Sequence, residues 1–403
     1  MSANVEVSEL SPETVREISS RLDEPDWLLE TRLDALEALP DIELPSVIQT
    51  PGRRWTNLED LDYDTLVDPL NPAEDKDQTG GDEVNVLPIS EAIAEHEDLL
   101  REHFGSVIDP TENYLTALSM ALFTTGTVVH VPAGVVDEEV TIRTRMNSRS
   151  LFNYTLVISE ESSEVTILER QSTGEDLDAD RYYSGLVELV TGPNSTVQYG
   201  SLQELAEDTY TYTLKRADAN RDANVTWIEA NLGSRLTKSS VETTLAGQGS
   251  ETKIIGAFFG HDDQHMDVSS RVWHRNEHTT ADLVTRGVLD DDARSVYEGV
   301  QHVGKEAWHT NSYQRENTLM LSDESEADAS PKLIINNHET EASHSATVGQ
   351  IDAQDLFYMT SRGVPPQLAK NMLVEGFFVP VLEEIAVDEF REDLEARIIQ
   401  RLK

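Results

Sequence analysis

Residues 162–168 read SSEVTIL, a pair of small hydroxylated residues that leads into a short alternating run. The same kind of phrase returns as NSTVQYG (194–200), DANVTWI (222–228), GSETKII (249–255), TTADLVT (279–285) and ASPKLII (329–335). Successive starts lie 32, 28, 27 and 30 residues apart, and the last gap is 50. Runs of Val, Ile, Thr and aromatic residues that alternate with polar ones are typical of strands joined by turns. The repeat favours a β-helix, because each rung need only bury its inward residues against its neighbours; a β-sandwich stays open on periodicity alone.

The periodicity of apolar and polar residues divides the chain into three regions. Residues 123–345 carry the strand phrases and form the predicted β-helix core. Residues 1–122 are predicted to be mainly helical, with helix over 11–39 and again over 90–122. The acidic stretch near 71–88 contains NPAEDKDQTGGDE, which has too few apolar residues to fold alone, so we expect it to be flexible.

The last region, residues 346–403, is also predicted to be helical. Asp352 is a suitable N-cap for a helix that ends near Gly363. A second helix is expected to stop at Gly376, and an amphipathic helix follows Pro380.

The charge balance excludes several classes of partner. The 403 residues contain 76 Asp plus Glu against 31 Lys plus Arg, a formal net charge of −45. Such a field repels nucleic acid and anionic membranes, so neither is an expected partner. Acidic residues are spread over the whole length, which indicates a surface adapted to high salt, as in halophilic proteins, and weakens acidic runs such as 289–294 as signs of a metal site. The apolar runs are too short to span a bilayer, so we expect a soluble cytoplasmic protein.

The chain has no cysteine, which limits its chemistry. Disulfides, a thiolate nucleophile and a self-contained Cys-ligated zinc or iron-sulfur site are excluded. Two histidine pairs have a spacing of four residues: His261 with His265, and His274 with His278. On a strand this spacing puts the side chains about 13 Å apart, too far for one metal ion, so polar-face or core positions are predicted. On a straight strand, His338 and His344 would also lie too far apart to bind one metal ion.

A family resemblance enters near the C-terminus. The segment SHSATVGQIDAQDLFYMTSRGVPPQLAKNMLVEGF (343–377) resembles the C-terminal signature of the SufB/SufD family of iron-sulfur cluster assembly proteins. The resemblance continues upstream and covers at least residues 285–377, and EPDWLLETRLDAL (24–36) carries a weaker form of it. SufB-type members are thought to accept sulfur on a cysteine, so this chain looks more similar to the SufD-type members.

The resemblance implies both a fold and a function. SufD-type proteins have a right-handed parallel β-helix core between helical N-terminal and C-terminal regions. They pair with a SufB-like scaffold through the β-helices, and each C-terminal domain docks a SufC-like ATPase of the ABC type. By this resemblance the chain is a scaffold subunit of a SufBCD-type complex and not an enzyme. It would hold no cofactor alone, and iron or an iron-sulfur cluster would be shared transiently with the SufB-like partner.

Five site residues are implied by the resemblance. His344 matches the position proposed as an iron ligand at the SufB interface, where the partner would complete the coordination with thiolate and carboxylate groups. Many SufD-type proteins have Cys two positions earlier, where this chain has Ala342. The alternative for His344 is a buried, hydrogen-bonded residue that ends the β-helix. The resemblance also implies an ATPase-docking motif, which consists of Phe357, Tyr358, Arg362 and Gly363. The alternative for the two aromatic residues is a place in the core of the C-terminal domain.

Two other functions remain open at this point. Parallel β-helices often carry polysaccharide lyases and hydrolases, which would need an exposed cleft of aromatic and carboxylate side chains. A SufB-like homodimeric scaffold is the other alternative, and a homodimer also fits the isolated chain; the lack of cysteine disfavours the SufB-like role.

Overall fold

The computed structural model describes residues 10–45, 61–136, 138–174, 179–385 and 387–402. Parts of the predicted N-terminal region, residues 1–9 and 46–60, therefore lie outside the described residues. In chain order the strands are β1 (Glu74–Thr79), β2 (Asn85–Pro88), β3 (Thr125–Val131), β4 (Glu138–Met146), β5 (Ser150–Ser159), β6 (Glu164–Thr173), β7 (Arg181–Thr191), β8 (Thr196–Glu204), β9 (Thr209–Ala219), β10 (Asn224–Asn231), β11 (Leu236–Leu245), β12 (Glu251–Gly260), β13 (His265–His274), β14 (Thr280–Leu289), β15 (Arg294–Val303), β16 (Thr310–Met320), β17 (Glu326–Ile335) and β18 (Thr340–Gln350).

These strands form a parallel β-helix, so the predicted fold class is confirmed. The first sheet has the order β1-β4-β6-β8-β10-β12-β14-β16-β18, and the second has the order β17-β15-β13-β11-β9-β7-β5-β3-β2. Each turn of the chain adds one parallel strand to each sheet. The two exceptions are β1 and β2, which pair antiparallel with β4 and β3 at the N-terminal end of the stack.

One corner of the rungs explains the repeated phrase. Residues there adopt a left-handed backbone, with positive φ, at Ser162, Asn194, Asp222, Gly249, His278 and His309. Each backbone N–H donates to a carbonyl on the next rung, as Asp222 N does to Gln248 O at 2.9 Å. Asn, Asp and Gly tolerate this backbone region, which is why several phrases begin with one of them. ASPKLII is the exception, because it lies in β17 of the second sheet while the other five phrases lead into the first; this displacement accounts for the last gap.

The inward faces of the rungs pack in register to form the core of the β-helix. Tyr199 and Trp227 occupy paired positions on β8 and β10, with ring centroids 5.4 Å apart. Trp227 is 1% exposed, and its Nε1 donates to Thr243 Oγ1 at 3.1 Å. Stacking of like side chains from rung to rung therefore supplies much of the buried apolar area.

Helices cover the N-terminal part and one side of the β-helix. They are α1 (Pro12–Arg21), α2 (Asp26–Ala38), α3 (Tyr63–Leu66), α4 (Ile89–Glu95), α5 (Glu97–His103), α6 (Tyr114–Leu122), α7 (Ala353–Ser361), α8 (Pro366–Leu382) and α9 (Asp388–Arg401), with a short 3₁₀ turn at Leu39–Asp41. The predicted helix over 90–122 is interrupted, because Gly105 has a φ of +68° and Pro110 follows. Among the described residues, no helix combines the length and apolar character needed to cross a bilayer.

The interrupted segment is attached to the β-helix by one carboxylate. Glu188 on β7 accepts the backbone N–H groups of Gly105, Val107 and Ile108 at 2.8, 2.7 and 3.0 Å. It also accepts the hydroxyl of Tyr154 at 2.7 Å. Four hydrogen bonds to a side chain with 0% exposure fix the helical region on the strands.

The acidic stretch near 71–88 was predicted to be flexible, and this prediction is wrong where the stretch forms β1 and β2. Residues of β1 and β2 extend the two sheets, because pairing with β4 and β3 supplies the contacts that the stretch lacks on its own. Lys76 of β1 points inward and donates to Asn153 Oδ1 at 2.8 Å. Local composition does not indicate this strand pairing, because the partner strands lie far along the chain.

The C-terminal helices agree with the prediction at the first helix and differ at the second. Asp352 caps α7, and its side chain accepts Gln354 N at 2.7 Å. The predicted stop at Gly376 is wrong: α8 continues through Gly376 and Pro380 to Leu382. Proline inside a helix costs about 3 kcal/mol, but here the buried face of α8 packs on the β-helix and offsets that loss. The last helix, α9, buries its apolar positions against the same surface.

A substitution in the rung core tests this packing. We expect Trp227→Ala to lower the free energy of unfolding by about 3–5 kcal/mol, because a large buried ring is removed. The measurement is denaturant unfolding in molar salt. Trp308→Ala is the matched control, since Trp308 is 41% exposed, and its effect should stay within about 0.5 kcal/mol. Equal losses for the two variants would contradict the described rung core.

Candidate functional site

His344 lies on β18, the outermost strand of the first sheet. It is paired with Gln314 of β16, whose side chain faces the interior and is 1% exposed. Paired residues of parallel strands project to the same face, so His344 also faces the axis of the β-helix. His344 is nevertheless exposed, because β18 is the last strand of its sheet. The alternative of a buried residue at the end of the β-helix therefore does not describe it, and its role as an iron ligand stays a prediction.

The last rung leaves apolar side chains in contact with solvent. Strands β17 and β18 are the outermost members of the two sheets, so one backbone edge of each has no paired strand within the part of the chain that the structure describes. Ile334 and Ile335 on β17 are 45% and 42% exposed, and Val348 on β18 is 39% exposed. We call β17 and β18 together the terminal rung. An exposed, partly apolar strand edge is typical of an interaction surface.

Inward positions just below the terminal rung are polar. On β16 they are Thr310, Ser312, Gln314, Glu316 and Thr318. Neither Gln314 nor Glu316 was predicted from the sequence, because TNSYQRENTLM (310–320) has polar residues on both faces and does not show which face is inward. Burial raises the pKa of Glu316 to about 7, although hydrogen bonds from Thr318 and the Thr347 backbone oppose the shift.

The other predicted histidines fall into two groups. His265 and His274 are buried, and this burial lowers the pKa of each to about 4. His261 and His278 lie in turns and are partly exposed. The prediction of core or polar-face positions is therefore confirmed for His265 and His274. His338 lies in the exposed turn before β18.

One group of three potential metal ligands occurs within the described ranges. Glu207, His261 and Asp262 each offer one atom, and the three atoms lie within 4.8 Å of one another. His261 already has both ring nitrogens near carboxylates, with Nδ1 2.8 Å from Asp262 and Nε2 3.4 Å from Glu207. Both carboxylates are exposed, so this turn is an ordinary ion-pair cluster of an acidic surface.

The α7–α8 hairpin carries a second exposed surface. Phe357 and Tyr358 on α7 are 72% and 61% exposed, and the guanidinium of Arg362 lies 5.1 Å from the Tyr358 ring centroid. Gly363 has a φ of +89° and ends the helix, which turns the chain into α8. With Leu368 and Met372 of α8, which are 51% and 47% exposed, Phe357 and Tyr358 form what we call the apolar patch. Neither aromatic residue belongs to a core.

Comparison with known proteins bears on both surfaces. Residues 142–377 match the family described as SUF system FeS cluster assembly, SufBD core domain, which is more than half of the chain. The chain belongs to the SufBD core family. The resemblance drawn from residues 285–377 is thereby confirmed.

Relatives of this SufBD protein match over nearly its full length. The iron-sulfur cluster assembly protein SufD of Bacillus subtilis is 29% identical, across 97% of this chain and 98% of the relative. Iron-sulfur cluster assembly protein SufB of the same organism is 27% identical, across 94% and 90%. An iron-sulfur cluster assembly SufBD family protein of Staphylococcus epidermidis is 26% identical, across 94% and 90%. The match to the family includes His344 and the aromatic members of the apolar patch.

The exposure of the SufBD apolar patch predicts how little it contributes to folding. We expect the double change Phe357→Ala, Tyr358→Ala to alter the free energy of unfolding by less than about 1 kcal/mol, because little buried area is lost. Phe378→Ala on α8 is the comparison: Phe378 is 1% exposed, and about 3–5 kcal/mol should be lost. Chemical denaturation of the purified variants measures both. A large loss for the double variant would mean that the aromatics form a core.

Burial of His274 predicts a pH dependence of stability. The unfolded chain binds a proton near pH 6.5 and the folded chain only near pH 4, so the stabilisation is complete above about pH 6.5 and is lost as the pH falls towards 4. Between pH 7 and pH 5, His274 is expected to account for about 2 kcal/mol of the decrease in the free energy of unfolding. In His274→Gln the decrease in unfolding free energy over this interval should be smaller by that amount. An unchanged decrease in His274→Gln would refute the assignment.

Proposed function

We propose that this SufBD protein is a scaffold subunit of a SufBCD-type iron-sulfur cluster assembly complex. In this role it pairs with a SufB-like chain and docks a SufC-like ATPase. Family membership and the similarity to both SufD and SufB relatives support the proposal. The single observation that carries it is the terminal rung, an open strand edge that presents a histidine beside exposed apolar side chains.

The terminal rung is the proposed surface for the SufB-like partner. Ile334, Ile335 and Val348 lose solvent exposure when another sheet covers β17 and β18, and the unpaired backbone groups gain hydrogen-bond partners. The chain has no cysteine, so any thiolate at this interface comes from the partner. A sulfur-bearing partner therefore complements what this scaffold lacks.

The apolar patch is the proposed docking surface for the ATPase. Its exposed aromatic rings, together with Arg362, have the composition of interface anchors, which are enriched in Tyr and Arg. Against the rest of the described chain, every residue of α7 stays exposed or half-buried, so α7 has an exposed face to offer. The terminal rung and the apolar patch share no residue, so the proposal gives each partner its own surface. The cytoplasmic location expected from the sequence belongs to the same proposal.

Recovery of partners tests the two surfaces separately. The tagged protein, purified in molar potassium chloride from cells that also produce a SufB-like chain and a SufC-like ATPase, is expected to retain both. Ile335→Asp, in the terminal rung, should lose the SufB-like chain and keep the ATPase. Phe357→Ala with Tyr358→Ala should do the reverse. Recovery of neither partner by the unaltered protein would refute the proposal, and self-association alone would favour the homodimeric scaffold.

His344 is proposed to contribute to iron acquisition at the partner interface. His344→Ala is expected to lower the iron or cluster content of the assembled complex by at least twofold, because one imidazole ligand is lost. Partner recovery should be unchanged, since the side chain is exposed. The measurement is the iron content per complex after reconstitution. The control is Ser343→Ala, because Ser343 is exposed and faces outward on the same strand. Unaltered iron content in a fully assembled variant would remove His344 from this role.

A further inference from the structure

Glu316 is a buried carboxylate that the fold leaves partly unsatisfied just below the terminal rung. It lies on the inward face of β16, is 1% exposed, and is paired with Ala346 of β18. One of its oxygens, Oε1, accepts Thr318 Oγ1 at 2.5 Å. The backbone of Thr347 also contributes a hydrogen bond to the carboxylate. The other oxygen, Oε2, is buried and has no close hydrogen-bond partner of its own within the described residues. A buried carboxylate oxygen without such a bond is costly unless a ligand or water satisfies it.

The register brings Glu316 and His344 onto neighbouring inward positions. His344 is paired with Gln314, two residues before Glu316 on the same strand. Adjacent strands are about 4.8 Å apart and two residues span about 6.6 Å, so the two Cα atoms are about 8 Å apart diagonally. Glu and His side chains reach across such a distance towards a common point.

Small residues leave room around that point. Ala342 and Ala346 flank His344 on the inward face of β18, so neither fills the space beside the imidazole. Below them, the amide of Gln314 crosses the interior to the position opposite Gly299 on β15. A Cβ at Gly299 would lie 1.7 Å from Gln314 Nε2, so the glycine leaves room for that amide. The amide of Gln314 therefore bounds this space on its inner side, and the strands of the terminal rung bound it on the solvent side.

We propose that Glu316 and His344 together form a two-ligand site for a divalent first-row transition metal ion at the open end of the β-helix. This inference deepens the proposed function and rests on it, because the ion is the cargo of the complex. A partner would complete the coordination of the ion and then accept it. An imidazole nitrogen and a carboxylate oxygen suit Fe²⁺, Co²⁺ and Zn²⁺, whose remaining positions are filled by water or by partner groups. When ionised, Glu316 adds a negative charge in a site shielded from water, where its attraction for a cation is stronger than at the surface, and a bound cation favours that ionised form.

Binding of Co²⁺ to the isolated full-length chain tests the site. Titrations in molar potassium chloride, which screens the acidic surface, are followed by calorimetry and by the visible absorption of bound Co²⁺. The unaltered chain is expected to bind one ion with a distinct spectrum. Glu316→Gln and His344→Ala should each weaken binding at least tenfold, and the double change should abolish the spectrum.

Two further variants keep the result interpretable. Ala346→Leu fills the space above Glu316 at an exposed position, so it should block binding without removing a ligand or buried packing. Glu341→Gln removes the same charge as Glu316→Gln from an exposed position on β18 and should leave binding unchanged. Normal Co²⁺ binding by Glu316→Gln and Ala346→Leu would overturn the proposal. Equal weakening by Glu341→Gln would do so too, because it would mean adventitious binding to the acidic surface. Partner recovery reports separately on the proposed function, since it needs no metal.

Discussion

Parallel, in-register stacking is the constraint on which the rest of this structure depends. Each inward side chain rests on the residue at the paired position of the preceding rung, as Trp227 rests on Tyr199. A stack of this kind has two ends, and each end must be closed or left for a partner. Antiparallel β1 and β2 extend the N-terminal end, whereas β17 and β18 are the last strands of their sheets. The open end is therefore a consequence of the architecture, and His344 and Glu316 lie there.

Stacking also explains why charged groups lie inside the β-helix. The residues paired in succession along the first sheet are Glu169, Ser201, Glu229, Gly256, Thr285 and Glu316. Glu229 is compensated, because it accepts Lys215 Nζ at 2.5 Å and Ser239 Oγ at 3.2 Å. Burying such a pair rarely adds stability over apolar packing, but removing one partner is strongly destabilising. Glu229 thus has its charge satisfied inside the stack, whereas Glu316 lies next to the open end with Oε2 lacking a close partner within the described residues.

The β-helix was predictable because its signal is local. Corner residues such as Asn194 and Asp222 mark each turn, and the alternation beside them marks each strand. The errors arose where local preference met a distant contact: residues 71–88 became strands through pairing, and α8 passed Pro380 because its buried face packs on the β-helix. His344, Phe357 and Tyr358 were found by resemblance to a family, and neither periodicity nor spacing indicates their roles. Glu316 was missed because its facing depends on the register between β16 and β18, which one sequence does not specify.

The connection between the two proposed binding surfaces is short and stiff. Only Ile351 and Asp352 separate β18 from α7, and the cap at Asp352 fixes the start of that helix. Behind it, α8 is tied to β14 by Arg286, which donates to the carbonyl of Phe377 at 2.6 Å and lies 4.8 Å from its ring centroid. A flexible linker would absorb a displacement of the apolar patch, but a two-residue connection passes it to the strand that carries His344. Because β18 has a neighbour on one side only within the described residues, it moves at less cost than the strands that are paired on both sides. A partner that shifts α7 therefore acts first on the geometry at the open end, and the rungs beneath stay fixed by pairing on both sides.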